Sequence, residues 1–194
     1  PGGHNVIAGL YDAAKQANPE SKVYGFLVGP DGIIENEAVE LSDDLVNRYR
    51  NLGGFTMIKT GRTKIDSSEK MALTRETCRR LDLDALVVVG GDDSNTNAAF
   101  LAQEMAADGI QVIGVPKTID NDLSFIQRSF GFETAVAHAV QAVYSAHTEA
   151  SNSINGIGLV KVMGRESGFI AAHTALAAGC VNFCLIPEVP FELE

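Results

Sequence analysis

Residues 86–122 read LVVVGGDDSNTNAAFLAQEMAADGIQVIGVPKTIDND. The stretch opens with a short apolar run rich in valine, which is typical of a fully buried parallel strand. Two glycines end the run, and apolar residues spaced three or four apart then predict a helix over 95–107, with Ser94 as its N-cap. A glycine turn that leads into a helix N-terminus suits phosphate, because backbone N–H groups and the helix dipole both face the anion.

A second apolar strand is predicted at 111–115, and it runs directly into Pro-Lys-Thr-Ile-Asp-Asn-Asp at 116–122. Since the carboxyl ends of neighbouring parallel strands face the same crevice, we expect Asp92 and Asp120 to share one site. Carboxylates beside a phosphate indicate a divalent cation, and Mg²⁺ is usually held by one or two carboxylates together with phosphate oxygens. Metal ligands, a cation and a base are the groups that phosphoryl transfer to a hydroxyl requires.

Composition limits the possible classes of protein. A chain of 194 residues that is 45% hydrophobic and 21% charged can build one sizeable globular core. The formal net charge of −10 argues against a nucleic-acid surface. No apolar run approaches the roughly 18 residues that span a membrane, and no signal peptide is evident, so we expect a cytoplasmic protein without membrane contact. The 3 cysteines and 4 histidines show no disulfide or zinc spacing.

The alternation of predicted strands and helices favours a doubly wound α/β fold, with a mostly parallel Rossmann-like sheet covered by helices on both faces. Further helices are predicted at 6–17, 41–49, 67–81, 133–150 and 169–177, further strands at 22–28, 157–163 and 181–186, and a turn at 29–32. Asp66 is the expected N-cap of the 67–81 helix, and the apolar stripe of the 133–150 helix is expected to face the core.

The segments GGDDS at 90–94 and PKTIDND at 116–122 resemble the two signature motifs of the 6-phosphofructokinase family. They have the form found in its pyrophosphate-dependent branch, in which Asp93 replaces the last glycine of GGDGS and Lys117 replaces the glycine of PGTIDND. Met-Gly-Arg at 163–165 and Pro-Glu at 187–188 extend the resemblance over essentially the whole chain. The resemblance implies a phosphofructokinase-type fold and Mg²⁺-assisted transfer from pyrophosphate to the 1-hydroxyl of fructose 6-phosphate.

The resemblance also implies a role for each motif residue. The expected catalytic residues are Asp120 as general base, Lys117 and Arg62 as cations for the moving phosphoryl group, and Thr118. Donor binding is assigned to Gly91, Asp93, Ser94, Gly2 and Gly3, and metal binding to Asp92. The sugar phosphate is assigned to Asp122, Met163, Gly164, Arg165 and Glu188. Ordinary alternatives stay open for some of them: a plain N-terminal turn at Gly2 and Gly3, a solvated loop arginine at Arg62, and a helix-start residue at Arg165.

The chain begins without the strand that precedes its first glycine turn in the family, and the family's second half has no counterpart after Glu194. We therefore expect a fragment in which residues 1–194 form the donor-binding α/β domain with the start of the sugar-phosphate site, the second domain being absent or incomplete. A homo-oligomer is expected for the full-length protein. An inactive isolated chain is one expected outcome.

Three rival interpretations remain at this point. An ATP-dependent phosphofructokinase is disfavoured by Asp93 and Lys117, and a lipid or NAD kinase with a similar GGD turn by the PKTIDND and MGR segments. A non-catalytic regulatory subunit of the same fold would be expected to lack some of the charged site residues. All of those residues are present, which favours an active parent enzyme.

Overall fold

The computed structural model describes residues 2–192. The chain divides into two compact units, unit 1 (Pro1–Lys117) and unit 2 (Thr118–Glu194). The elements of unit 1, in chain order, are α1 (Gly3–Ala17), β1 (Tyr24–Phe26), α2 (Pro30–Glu35), β2 (Ala38–Glu40), α3 (Asp43–Tyr49), α4 (Ser68–Arg80), β3 (Ala85–Gly90), α5 (Asp92–Met105), a 3₁₀ turn (Ala106–Asp108) and β4 (Gln111–Pro116). Those of unit 2 are α6 (Phe132–Asn152) and α7 (Phe169–Ala178).

The centre of unit 1 is a parallel pair of strands joined by a helix. β3 and β4 run side by side from Ala85 opposite Gln111 to Gly90 opposite Pro116, and α5, which connects them, packs on both. The buried residues of this core are Ile33, Ile65, Cys78, Leu86, Leu101, Met105 and Ile110. The predicted strand–turn–helix–strand order is therefore confirmed, and with it the α/β class.

A second core in unit 1 lies around its first helix. Here β1 and β2 form an antiparallel pair, and α1 packs with α3. The buried residues are Ile7, Ala8, Tyr11, Leu41 and Val46. This core also holds His4, which is 1% exposed and whose Nε2 accepts a hydrogen bond from the Met57 N–H at 3.1 Å.

Unit 2 is helical, and α6 packs against α7. Both helices begin and end within two residues of their predicted limits. The strands predicted at 157–163 and 181–186 are wrong, because no strand is formed within residues 118–192. Ile157 is 91% exposed and Leu159 is 88% exposed. A strand needs a partner for its backbone N–H and C=O groups, so an apolar run without a partner does not form one.

Several local expectations are corrected by the structure. The turn expected at 29–32 is the start of α2, with Pro30 in its first turn. The N-cap of α4 is Ser67, whose Oγ accepts the Lys70 N–H at 3.3 Å, whereas Asp66 forms an ion pair with Lys70. The expected core stripe of α6 is only half-buried, and Tyr144 is 44% exposed.

Candidate functional site

The ends of β3 and β4 bring the first residues of the GGDDS and PKTIDND motifs together in unit 1. The Lys117 N–H donates to the Gly90 carbonyl at 2.6 Å, one residue beyond the last strand pair. A Cβ at Gly91 would lie 3.8 Å from the Lys117 carbonyl oxygen. Close approach of these two turns is what a parallel pair with a shared carboxyl end predicts.

Asn95 holds the glycine turn in place. Its Nδ2 donates to the carbonyls of both Gly90 and Gly91, each at 2.8 Å. Gly114 on β4 makes room for this amide, since a Cβ there would collide with Asn95 Oδ1. The sequence analysis missed Asn95. The signal available in the sequence was an amide four residues after Gly91, one helical turn away and so within reach of the carbonyls of the glycine turn.

The acidic pair lies in the first turn of α5, whose N-cap is Gly91. Asp92 and Asp93 are exposed, and carboxylates are stabilised there by the helix dipole. Ser94 is therefore inside the helix, and its assignment as N-cap is wrong. Its side chain lies against Gly90, where an added Cβ would collide with it.

A lysine that the sequence analysis did not assign to the site contacts this acidic turn. Lys64 Nζ lies 3.0 Å from Asp93 Oδ1, and the two side chains are 52% and 68% exposed. Lys64 comes two residues after Arg62, which is also exposed. Arg62 and Lys64 thus lie two residues apart in the segment between α3 and α4, and Lys64 forms an ion pair with Asp93.

The N-terminal glycines form the first turn of α1. Gly2 is its N-cap with φ 80°, a left-handed conformation that favours glycine. The His4 N–H donates to the Gly54 carbonyl at 2.8 Å, and Gly3 packs so closely on Gly54 and Phe55 that a Cβ would collide with them. These contacts show that the two glycines have a structural role at the start of α1, while their donor-binding role stays a prediction.

In unit 2, hydrogen bonds to the backbone fix the turn that carries Asp120. The Asp120 N–H donates to Thr118 Oγ1 at 3.1 Å, and its carbonyl accepts from Ser167 Oγ at 3.3 Å. Asn121 has φ 58°, and its Oδ1 accepts the Ser129 N–H at 2.9 Å. Asp120 is partly buried, whereas Asp122 is exposed.

The Met-Gly-Arg turn and Glu188 are joined to this same region of unit 2. Gly164 is buried with φ 145°, and Arg165 is exposed with φ 54°. The Gly164 carbonyl accepts the Ser167 N–H at 2.9 Å, and Glu188 Oε1 accepts the Gly168 N–H at 2.7 Å. Residues distant in the chain therefore meet through Ser167 and Gly168.

Glu188 and Met163 differ in how they are held. The Glu188 carboxylate lies at the N-terminus of α7, since Gly168 is the N-cap of that helix. Met163 is 67% exposed. Both residues sit where a ligand of unit 2 could reach them, and their sugar-binding roles stay predictions.

Among residues 2–192, no group of three or more His, Cys, Asp and Glu side chains is arranged to hold a metal ion. Asp92 nevertheless fits Mg²⁺ of the kind that phosphate oxygens help to ligate, since such ions need only one or two protein carboxylates. Asp92 belongs to unit 1 and Asp120 to unit 2, so the sharing of one site by these acids also stays a prediction. None of the described helices has the length and hydropathy to cross a bilayer.

Known proteins resemble this chain along its whole length. The phosphofructokinase family model matches residues 1–194. The pyrophosphate–fructose 6-phosphate 1-phosphotransferase of Porphyromonas gingivalis is 46% identical over 192 residues, which cover 97% of this chain and 35% of that protein. The ATP-dependent 6-phosphofructokinase of Borreliella burgdorferi is 41% identical over 199 residues, which cover 100% of this chain and 43% of that protein.

A solved structure agrees with these relatives. The pyrophosphate-dependent phosphofructokinase from Marinobacter aquaeolei matches with a TM-score of 0.76 and 27% identity, covering 97% of this chain and 50% of that one. This match confirms the phosphofructokinase-type α/β fold expected from the sequence. The chain spans about a third of the length of the Porphyromonas relative, 35%. By the match of the family model to its whole length, the chain belongs to the phosphofructokinase family.

Proposed function

We propose that this chain carries the donor site, and part of the acceptor site, of a pyrophosphate-dependent 6-phosphofructokinase. The reaction transfers a phosphoryl group from pyrophosphate to the 1-hydroxyl of fructose 6-phosphate, giving fructose 1,6-bisphosphate and phosphate. The observation that carries the proposal is the contact between the Gly90–Gly91 turn and Lys117 at the ends of β3 and β4. The names of relatives that are 46% and 47% identical support it.

On the donor side, pyrophosphate would lie against the Gly91 turn and the N-terminus of α5, where N–H groups and the helix dipole favour an anion. Asp92 would hold Mg²⁺, which neutralises charge on the phosphate oxygens when it is bound. Lys117 and Arg62 would stabilise the charge that develops on the moving phosphoryl group. Ser94 would keep the turn closed through its contact with Gly90.

On the acceptor side, Asp120 would take the proton from the 1-hydroxyl as the new bond to phosphorus forms. An aspartate is ionised at neutral pH and can act as that base. Thr118 and Ser167 would hold its backbone by the hydrogen bonds described above. The sugar phosphate would be bound by Asp122, Met163, Gly164, Arg165 and Glu188.

Donor choice would depend on Asp93 and Lys117. In the ATP-dependent branch of the family a glycine stands at each position, so neither charge is present. A carboxylate at Asp93 would repel the α-phosphate of ATP, and like charges that meet in a poorly solvated site cost on the order of several kcal/mol. Pyrophosphate has no third phosphoryl group to place there.

The setting of the full-length protein is part of the proposal. The net charge of −10 on residues 1–194 suits a cytoplasmic protein that handles small anions through local cations. We also propose a homo-oligomer. Two plant relatives are named as beta subunits of their enzymes, which supports assembly into an oligomer but not its composition from identical chains.

A coupled assay with pyrophosphate and with ATP tests the function, on this chain and on a full-length protein that contains it. We expect turnover with pyrophosphate in the full-length protein, and a fall in kcat of roughly 10²- to 10⁴-fold for Asp120→Asn, because a general base contributes about that much. The matched control is Asp44→Asn, which changes an exposed aspartate at the start of α3. We expect no effect of this control on kcat.

The donor assignment is tested separately by the double variant Asp93→Gly with Lys117→Gly. We expect a higher ratio of kcat/KM for ATP to that for pyrophosphate. A wild-type protein that prefers ATP would support the ATP-dependent alternative, which the 41% identical Borreliella relative represents. An unchanged ratio in the double variant would remove donor choice from these two positions.

A further inference from the structure

A short basic segment of unit 1, residues 61–65 with the sequence GRTKI, carries both Arg62 and Lys64. It lies outside the helices and strands, so no ladder of backbone hydrogen bonds fixes its position. Arg62 and Lys64 are exposed, whereas Ile65 is 4% exposed and belongs to the core under β3. The positions of Arg62 and Lys64 therefore depend on the contacts that hold the two ends of this segment.

Asn97 holds the far end of the basic segment. Its Oδ1 accepts the Ile65 N–H at 3.1 Å, and its Nδ2 donates to the Ile65 carbonyl at 2.9 Å. One amide thus satisfies both backbone groups of a buried residue, as a neighbouring strand would. Asn97 lies on α5 one turn after Asp93, so the segment is tied to the helix whose first turn holds the acidic pair.

The near end of the segment is pressed against another part of unit 1. A Cβ at Gly61 would collide with the Val28 carbonyl oxygen and the Asp31 carboxylate. The Val28 N–H in turn donates to the Ile58 carbonyl at 2.8 Å. Arg62 and Lys64 therefore lie in a basic segment that is held at Gly61 and at Ile65.

Lys64 uses that position to contact Asp93, with 3.0 Å between Nζ and Oδ1. Both side chains are more than half exposed, 52% and 68%, and exposed ion pairs contribute little to stability. The consequence of the contact is electrostatic. It places a positive charge on the acidic turn of Asp92 and Asp93, to which the proposed function assigns metal and donor binding.

We propose that Asn97 is a positioning residue for pyrophosphate, and this inference rests on the proposed function. The Asn97 amide holds both backbone groups of Ile65. It thereby keeps Lys64 in contact with Asp93 and fixes the basic segment that also carries Arg62. Without the amide, Arg62 and Lys64 are still present, but their positions are no longer fixed. The effect therefore falls on the donor and not on fructose 6-phosphate.

The test uses Asn97→Ala and Asn97→Asp in the full-length protein. Asn97→Asp keeps an acceptor for the Ile65 N–H but sets a carboxylate oxygen against the Ile65 carbonyl. For both variants we expect KM for pyrophosphate to rise roughly tenfold, the size expected from losing one to two hydrogen bonds. KM for fructose 6-phosphate should stay unchanged. The matched control is Gln103→Ala, which removes an exposed amide from the same helix.

Hydrogen exchange at the Ile65 amide gives a readout that does not depend on turnover. We expect exchange there to accelerate roughly tenfold in Asn97→Ala, while exchange in β3 is unchanged. Lys64→Gln should raise KM for pyrophosphate without accelerating exchange at Ile65, because it removes the charge and leaves the anchor.

Different results would contradict the inference and the proposed function. Unchanged exchange in Asn97→Ala, or faster exchange with an unchanged KM for pyrophosphate, would overturn the inference and leave the function standing. Absence of pyrophosphate turnover in the wild-type protein would overturn the proposed function. Calorimetric titration of the wild-type and Asn97→Ala proteins with pyrophosphate would then decide the inference alone, equal affinities counting against it.

Discussion

Residues 85–90 and 157–163 look alike in sequence and differ completely in structure. Both are apolar, rich in β-branched residues and followed by a glycine and a helix, yet only the first forms a strand. Leu86 in β3 is 9% exposed, and Leu159 is 88% exposed. β3 has β4 as a hydrogen-bonded neighbour along its whole length. Composition thus reports a preference for extended backbone, but a partner decides whether the preference becomes a strand.

The same contrast extends to the cores of the two units. Both core clusters, around Met105 and around Val46, lie in unit 1. Several large apolar side chains of unit 2 are open to solvent: Ile154, Ile157, Leu159, Leu176 and Phe183. Since burial of apolar area is the main stabilising term, unit 1 should hold most of the stability that this chain has.

Hydrogen exchange should show the largest difference between the two segments. We expect amides of β3 to exchange at least about 10³-fold more slowly than those of 157–163, because core amides open only with global unfolding and unpaired amides do not require it. Peptide-resolved exchange followed by mass spectrometry measures both segments in one experiment. Comparable protection in 157–163 would mean that the segment is paired in solution.

A pair of alanine substitutions should sharpen the comparison. Met105 is 0% exposed, and we expect Met105→Ala to lower the free energy of unfolding by about 2–5 kcal/mol, because it leaves a cavity in a packed core. Leu159→Ala, at 88% exposure, should change it by no more than about 0.5 kcal/mol. Urea unfolding of the two variants beside the wild-type chain gives both values. Similar losses would contradict the contrast.

The smallest effect is expected from an ion-pair network of unit 1. Asp108 Oδ1 lies 2.6 Å from Arg79 and its Oδ2 lies 2.9 Å from Arg75. The hydrogen bond from Arg79, with a further contribution from Arg75, holds the pKa of the Asp108 carboxyl below its usual range. A lowered carboxyl pKa stabilises the fold at neutral pH, and that stability is lost as the pH falls from the unfolded pKa through the folded one.

Asp108→Asn should therefore lower the melting temperature slightly at pH 7 and flatten its decline between about pH 4 and more acidic conditions, the range set by an ordinary aspartate pKa. Thermal unfolding followed by circular dichroism across that range checks the expectation. The matched control in unit 2 is Glu133→Gln, which removes an exposed pair with Arg128. A steeper acid dependence in Asp108→Asn than in the wild type would contradict the sign.

Features that depend on residues close together in the chain could be predicted from the sequence, whereas contacts between distant residues could not. The helices α4, α5, α6 and α7 and the strands β3 and β4 depend on local apolar spacing and glycine turns, and their existence was predicted correctly. The N-cap of α4 was not predicted correctly. Ser67 and Asp66 are adjacent and both residue types can cap a helix, so the backbone conformation decides which of them does. The motif resemblance indicated candidate site residues, not their contacts.

Two of the residues that were not predicted from the sequence, Asn97 and Lys64, act across long separations, whereas Asn95 acts within five positions. Asn97 bonds to Ile65, 32 positions away, and Lys64 pairs with Asp93, 29 positions away. An asparagine on a helix and a lysine in a loop are ordinary in sequence. Their roles come from the packing of α5 beside residues 61–65, which no local pattern reports.

Gly114 shows how a small residue can determine the shape of a turn to which it does not belong. The hydrogen atom that serves as its side chain leaves the volume that the Asn95 amide fills, and that amide in turn anchors the Gly90–Gly91 carbonyls. One methyl group at position 114 would push on the amide from the strand side and loosen the turn, with every charged residue still in the chain. If pyrophosphate binds at this turn as proposed, a substitution at Gly114 would change its affinity without altering a charged residue.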